Sequence, residues 1–388
     1  MINFLSKTFI KDYNNYDDLK VRGRYGIFCS LVSILLNTAM ASFKIAFGFI
    51  TNSVAVIADG VNNLADVASN IATLLGFMLS LKNPDKEHPF GHGRIEYLVS
   101  LGISVLIIFV GMQTLWNAVV HIIAPEVIYF SYATVVVLVI SIVVKYLMGQ
   151  LNFVIGKKIK SDTLIAVGKD SKVDMLTTTV TLVAVFASNY TNLPIDGILG
   201  SVVSLIILKT GYEISKATIA SLLGSAPDAD LLKEIGDFVL AYEGVLGTHD
   251  LMIHDYGPGR KYLTIHVEVN KNEEMMAIHE LIDKIERDLH AKFKIKTTIH
   301  LDPVDLDDKL TQRLKAEAIT IVTKINTNYS IHDFRVRRCE DALTLIFDVM
   351  IPATDLTPHH TLTSRIDDEI KQQYPNFETL IQIDHSYA

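Results

Sequence analysis

The chain has 388 residues, 49% hydrophobic and 20% charged, with a formal net charge of −8. A soluble domain carries about a quarter charged residues. Here charge and apolarity also segregate: residues 1–222 hold 17 Lys/Arg against 14 Asp/Glu, and residues 223–388 hold 18 against 29. That split excludes a single globular domain, a disordered or collagen-like chain and a basic nucleic-acid binder. With only Cys29 and Cys339, a disulfide framework or a CxxC site is excluded too.

Tyr25–Ala58 carries one charge, Lys44; Tyr97–Pro125 carries none; Val127–Gly156 carries one, Lys145; Met175–Ile195 carries none. Each run exceeds the roughly 20 residues needed to cross a bilayer. A further span starting near Ser53 carries Asp59 and Asp66, and a last one begins near Leu193. The spacing therefore predicts six membrane helices, at about 25–50, 53–81, 95–123, 127–156, 163–190 and 193–219. The polar N-terminus and the length of the first apolar run do not suit a cleavable signal peptide. Lys20, Arg22 and Arg24 precede the first helix. Lys82, Lys86 and Arg94 follow the second, and Lys157, Lys158, Lys160 and Lys169 follow the fourth, whereas the alternate loops lack Lys and Arg. By the positive-inside bias both termini are expected in the cytoplasm.

Carboxylates interrupt this apolar pattern. In the second helix Asp59, Asn62, Asn63 and Asp66 recur at i, i+3, i+4 and i+7 and so share one face; in the fifth, Asp170 and Asp174 stand at i, i+4. A carboxylate in the bilayer is expensive and normally faces a cavity and carries function. Two helices that each offer an i, i+4 oxygen pair can close a site between them, so Asn62, Asp66, Asp170 and Asp174 are the expected ligands, with Asp59 on the exit path. Lys44 and Lys145 read as snorkelling or paired cations rather than pathway groups. An all-oxygen donor set suits Mn, Mg and Ca; Zn and Cu favour imidazole or thiolate. Crowded carboxylates away from water do not all stay ionised, so a site that has released its ion is expected to refill with protons.

These residues resemble the cation diffusion facilitator family over about residues 20–305. Zinc members typically offer Asp-x3-Asp and His-x3-Asp; Asn62-x3-Asp66 with Asp170-x3-Asp174 is similar to the manganese-exporting branch. The resemblance implies a homodimer in the cell membrane that exports divalent metal, manganese first, against protons by alternating access. No cofactor is implied beyond the transported ion, and no nucleic acid. It further implies that Asp85, His88 and His92, in the NPDKEHPFGHGRIE loop, fall where some members bind an additional metal; the bland reading of that loop is a Pro/Gly-marked turn.

From Pro227 the pattern becomes short amphipathic elements, with a helix at about 229–242, strands at 248–256 and 261–270, a helix at 274–291 and a strand at 295–302. This αββαβ order matches the family's ferredoxin-like cytosolic domain. The resemblance implies that His249, His266, His279, His300 and Asp302 coincide with regulatory-metal positions of zinc-transporting relatives. About 80 residues later the pattern returns: His249-Asp250 in His332-Asp333, Thr264–Val269 in Thr344–Val349, Asp302 in Asp384. A second, degenerate αββαβ copy is therefore expected. On this alignment Ile346 and Gln382 replace His266 and His300, so that no complete metal cluster is expected there.

The expected architecture is thus a cytoplasmic segment (1–24) and an all-α six-helix transmembrane domain (25–219). An α+β ferredoxin-like cytoplasmic domain (220–305) and its repeat (306–388) follow. The rival functions are efflux of zinc, iron, cobalt or cadmium by the same mechanism, and a membrane-anchored metal sensor. A metalloenzyme needs a pattern such as HExxH, and His279-Glu280 lacks the second histidine.

Overall fold

The computed structural model describes residues 10, 13–16, 18–50, 54–124, 132–187, 195–338 and 343–386; among these, the side chains of 48, 54–59, 61, 62, 133, 134, 181, 184–187, 195, 196 and 386 lie outside the description. Residues 1–225 with 255–260 form one compact unit, and 226–254 with 261–388 a second.

The described part of the first unit holds six long helices: α1 Leu19–Ile50, α2 Val54–Ser80, α3 Ile95–Ile123, α4 Tyr132–Lys158, α5 Asp162–Ala187 and α6 Ile195–Leu223. Helix α1 starts earlier than the predicted residue 25, taking in Lys20, Arg22 and Arg24, because Asp18 caps it. Its Oδ1 accepts from the backbone N–H of Lys20 (2.8 Å) and Val21 (3.0 Å), the favoured use of aspartate before a helix. Leu19–Phe47, Ile95–Ile123, Val135–Lys158 and Gly197–Leu223 are long and apolar enough to cross a membrane. The other two helices, α2 and α5, are those that carry the carboxylates.

Small residues let these helices approach closely, as membrane helices do. A Cβ on Gly168 would lie 2.7 Å from the backbone nitrogen of Phe153 and 3.0 Å from the carbonyl oxygen of Gly149, so α5 crosses α4 nearly backbone to backbone. Ser104 and Ser215 hydroxyls meet at 2.7 Å and Ser100 and Thr218 at 3.2 Å, joining α3 to α6. Meanwhile Leu35, Phe49, Trp116 and Leu205 remain exposed, the outward apolar surface a lipid-facing bundle requires.

One end of the bundle is tied by a buried ion pair. Arg22 of α1 grips Glu96 of α3 through two bonds, of 2.6 and 2.7 Å, and its Nε donates to the carbonyl of Ile159 at 2.9 Å. Ser161 also donates to Glu96, whose own carbonyl accepts from Thr163 Oγ1.

The second unit runs α7 (Ala229–Leu240), β1 (Val245–Asp255), β2 (Lys261–Asn270), α8 (Met275–Phe293), β3 (Lys296–Val304). It then repeats as α9 (Lys309–Ile325), β4 (Ser330–Arg338), β5 (Leu343–Pro352), α10 (His359–Gln373), β6 (Phe377–Ser386). Each αββαβ copy has its own sheet, ordered β1-β2-β3 and β4-β5-β6, with the last two strands parallel. Each also has its own core, built on Leu263, Ile265, Val267 and Val269 in one and on Leu345, Phe347, Val349 and Ile351 in the other. Asp250 and Asp333, the matching residues of β1 and β4, both adopt left-handed backbone at φ 49°.

Strand pairing corrects the sequence alignment of the two copies. His266 pairs with His300, and Asp348 pairs with Gln382. Since Gln382 replaces His300, the residue in the place of His266 is Asp348, not Ile346.

Candidate metal centres

The i, i+4 spacing on α5 places Asp170 and Asp174 one turn apart, and Asp66 faces them from α2. All three are partly buried, and one carboxylate oxygen of each lies within 4.8 Å of the others. Of the expected ligands, Asn62 lies outside the described side chains, as does Asp59 on the expected exit path.

Sequence reading missed the group that completes this centre. Lys145, from α4, places its Nζ 2.6 Å from Asp66 Oδ2 and 2.6 Å from Asp174 Oδ2, with its side chain only 6% exposed. It is a paired cation as expected, but it stands among the carboxylates rather than away from them. The backbone contact of α4 with α5 across Gly149 and Gly168 brings it there. Lys44 instead donates to Asn63 Oδ1 at 3.0 Å. Three carboxylates around one ammonium leave an excess of negative charge, and in a dry setting such a site takes up a further cation or protons.

In the loop before α3, Asp85 Oδ1 lies 3.5 Å from His88 Nδ1 and Asp85 Oδ2 lies 3.5 Å from His92 Nε2. The buried His92 Nδ1 makes no hydrogen bond. Lys82 donates to Asp85 at 2.8 Å, and this hydrogen bond is the main reason that the carboxyl is held well below the usual carboxylate range.

In the second unit His249 Nε2 (3.3 Å), His266 Nδ1 (2.8 Å) and His300 Nε2 (3.5 Å) all approach the Asp302 carboxylate. His279 does not join them; it is exposed on α8. The second copy holds a group that the sequence alignment had dismissed: His332, Asp348 and Asp384 offer ligand atoms within 4.8 Å of one another. The register error hid it.

A carboxylate cluster among apolar helices, followed by αββαβ domains, is the build of a membrane cation transporter. Residues 30–223 match the family model for the cation efflux transmembrane domain. Residues 227–304 and again 311–386 match the cation efflux protein cytoplasmic domain. The chain belongs to the cation diffusion facilitator family of cation efflux transporters. It is 33% identical to an uncharacterized transporter of Methanocaldococcus jannaschii, over 71% of this chain and 97% of that protein. It is 30% identical to the manganese efflux system protein MneS of Bacillus subtilis, over 75% and 98%. It is 28% identical to the cation-efflux pump FieF of Cronobacter sakazakii, over 75% and 97%.

Proposed function

We infer that this protein exports manganese from the cytoplasm in exchange for protons, binding the ion with Asn62, Asp66, Asp170 and Asp174 in a six-span transmembrane domain (25–219). The observation that carries the reading is the convergence of Asp66, Asp170 and Asp174 within 4.8 Å, with neither His nor Cys in that group. Oxygen donors favour manganese over zinc, and the likeness to a manganese efflux protein supports the same ion. On this reading Lys145 is a resident counter-cation. An arriving Mn2+ displaces its ammonium and the protons from the carboxylates, and their return expels the ion on the far side.

The ferredoxin-like copies, at 220–305 and 306–388, lie in the cytoplasm with both termini, and the protein works as a homodimer in the plasma membrane. Asp59 lines the exit path. Asp85, His88 and His92 form an accessory loop site, and His249, His266, His300 and Asp302 a regulatory one.

Uptake of Mn2+ and Zn2+ into vesicles containing only this protein tests the reading. Wild type is expected to move Mn2+ in preference to Zn2+ and to respond to an imposed pH gradient. Asp170→His, which brings imidazole into the donor set, is expected to shift preference towards Zn2+. Flux indifferent to pH would refute the exchange, and unchanged selectivity in the variant would refute the ligand assignment.

A further inference from the structure

The first copy's His/Asp cluster is the one the family resemblance already implies. The group beside it has no such precedent in the sequence. His332 leaves β4 with its side chain only 10% exposed. Its Nε2 lies 3.1 Å from Asp250 Oδ1, 3.5 Å from Asp384 Oδ2 and 4.0 Å from Asp348 Oδ2, yet makes no hydrogen bond. A buried imidazole nitrogen left unbonded among three carboxylates is costly as it stands. Donors that bind one ion at about 2.0–2.2 Å stand about 3–4 Å from one another, which is this spacing.

We propose that the second αββαβ copy holds a divalent-cation site of its own, formed by His332, Asp348 and Asp384 with Asp250 reaching in from the first copy. One imidazole and three carboxylates are a hard, oxygen-rich set that suits Mn2+ or Fe2+. The copies are not equivalent here. Asp333, the counterpart of Asp250, is engaged by Arg335 of its own strand, so only the first copy lends a carboxylate. Asp250 directs Oδ2 towards His249 at 3.4 Å and Oδ1 towards His332. The same side chain therefore touches both clusters, and an ion held by His332 couples the two halves, whose hydrophobic cores are separate. This site stands whether or not the membrane carboxylates carry manganese.

The full chain, purified in detergent and stripped of metal, is titrated with Mn2+ while free ion is read by electron paramagnetic resonance. Asp348→Asn with Asp384→Asn is expected to bind one equivalent fewer than wild type. Asp348→His, which copies the His266 arrangement, is expected to keep that equivalent. The same loss is expected in an Asp66→Asn/Asp174→Asn background, where the membrane carboxylates no longer contribute. An unchanged number of equivalents overturns the proposal. Should the asparagine variants not fold, wild type loaded with Fe2+ and treated with ascorbate and peroxide gives a second reading. Backbone cleavage close to residues 332, 348 and 384, found by mass spectrometry, supports the site; cleavage confined to the first copy and the membrane helices refutes it.

Discussion

Asp174→Asn is expected to reduce Mn2+ flux in vesicles to below about 1% of wild type, with folded protein still recovered from the membrane. Losing groups that merely orient a metal ligand costs about 10–100-fold in affinity or activity, and on the proposed function a direct ligand is removed here. The substitution also changes what Lys145 does. In wild type the ammonium is shared between Asp66 and Asp174 at 2.6 Å each; in the variant it pairs with Asp66 alone and competes harder for the carboxylate that remains. Lys145→Met should act in the opposite sense. An ammonium about 5 Å from a divalent ion opposes it by several kcal/mol even at an effective dielectric of about 20, so its removal is expected to tighten Mn2+ binding at least tenfold. Turnover should then fall, because only the returning protons are left to push the ion off. Opposite shifts in affinity from neighbouring substitutions are the signature of an internal competitor. If Lys145→Met weakened binding, the lysine would be a structural support and not a resident cation. In cells, protection against Mn2+ should disappear with Asp174→Asn.

The contrast between Lys145 and the carboxylates shows what the sequence made legible. Asp170 and Asp174 declare themselves because one helix fixes their relation, and a lone charge in an apolar run stands out. Ile95–Ile123 could be placed closely for a similar reason, since the run from Tyr97 to Pro125 carries no Asp, Glu, Lys or Arg. Lys145 lies 79 residues from Asp66, and no local periodicity relates them. Only the close crossing of α4 and α5 does. The tail teaches a subtler lesson. Recognising a second copy needed only the echo of His249-Asp250 in His332-Asp333. Assigning its ligands needed strand register, and in β-rich sequence a slip of two residues preserves the in/out alternation while misplacing every side chain along the strand. The irregular pairing between His332 and Arg335 shifts the frame further within that copy. His332, Asp348 and Asp384 became a group only when the parallel pairing of β5 with β6 fixed the frame.

Arg22→Ala should destabilise the helical unit by about 3–5 kcal/mol, the usual cost of stranding one member of a buried ion pair. Glu96 is 1% exposed, and without the guanidinium its carboxylate keeps only Ser161 as a side-chain donor among the described residues. Glu96→Ala should cost as much for a different reason. Arg22 would retain the Ile159 carbonyl at 2.9 Å but lose both bonds to the carboxylate, leaving a buried cation without its counter-ion. Because the two losses describe one interaction, the double variant Arg22→Ala/Glu96→Ala should be milder than the sum of the single ones. A buried pair replaced as a whole is often close to neutral, whereas a broken one is not. Unfolding of the detergent-solubilised protein, followed for all variants under one condition, supplies the comparison. Strict additivity would mean that the pair is not coupled. The position of the pair gives the result a second use. Arg22 on α1, Glu96 on α3 and the turn between α4 and α5 are fastened at one point, so any movement of these helices past one another must break or carry that fastening. A variant that loses stability yet gains transport rate would identify the ion pair as a brake on the transport cycle; loss of both would make it a hinge pin that the cycle leaves intact.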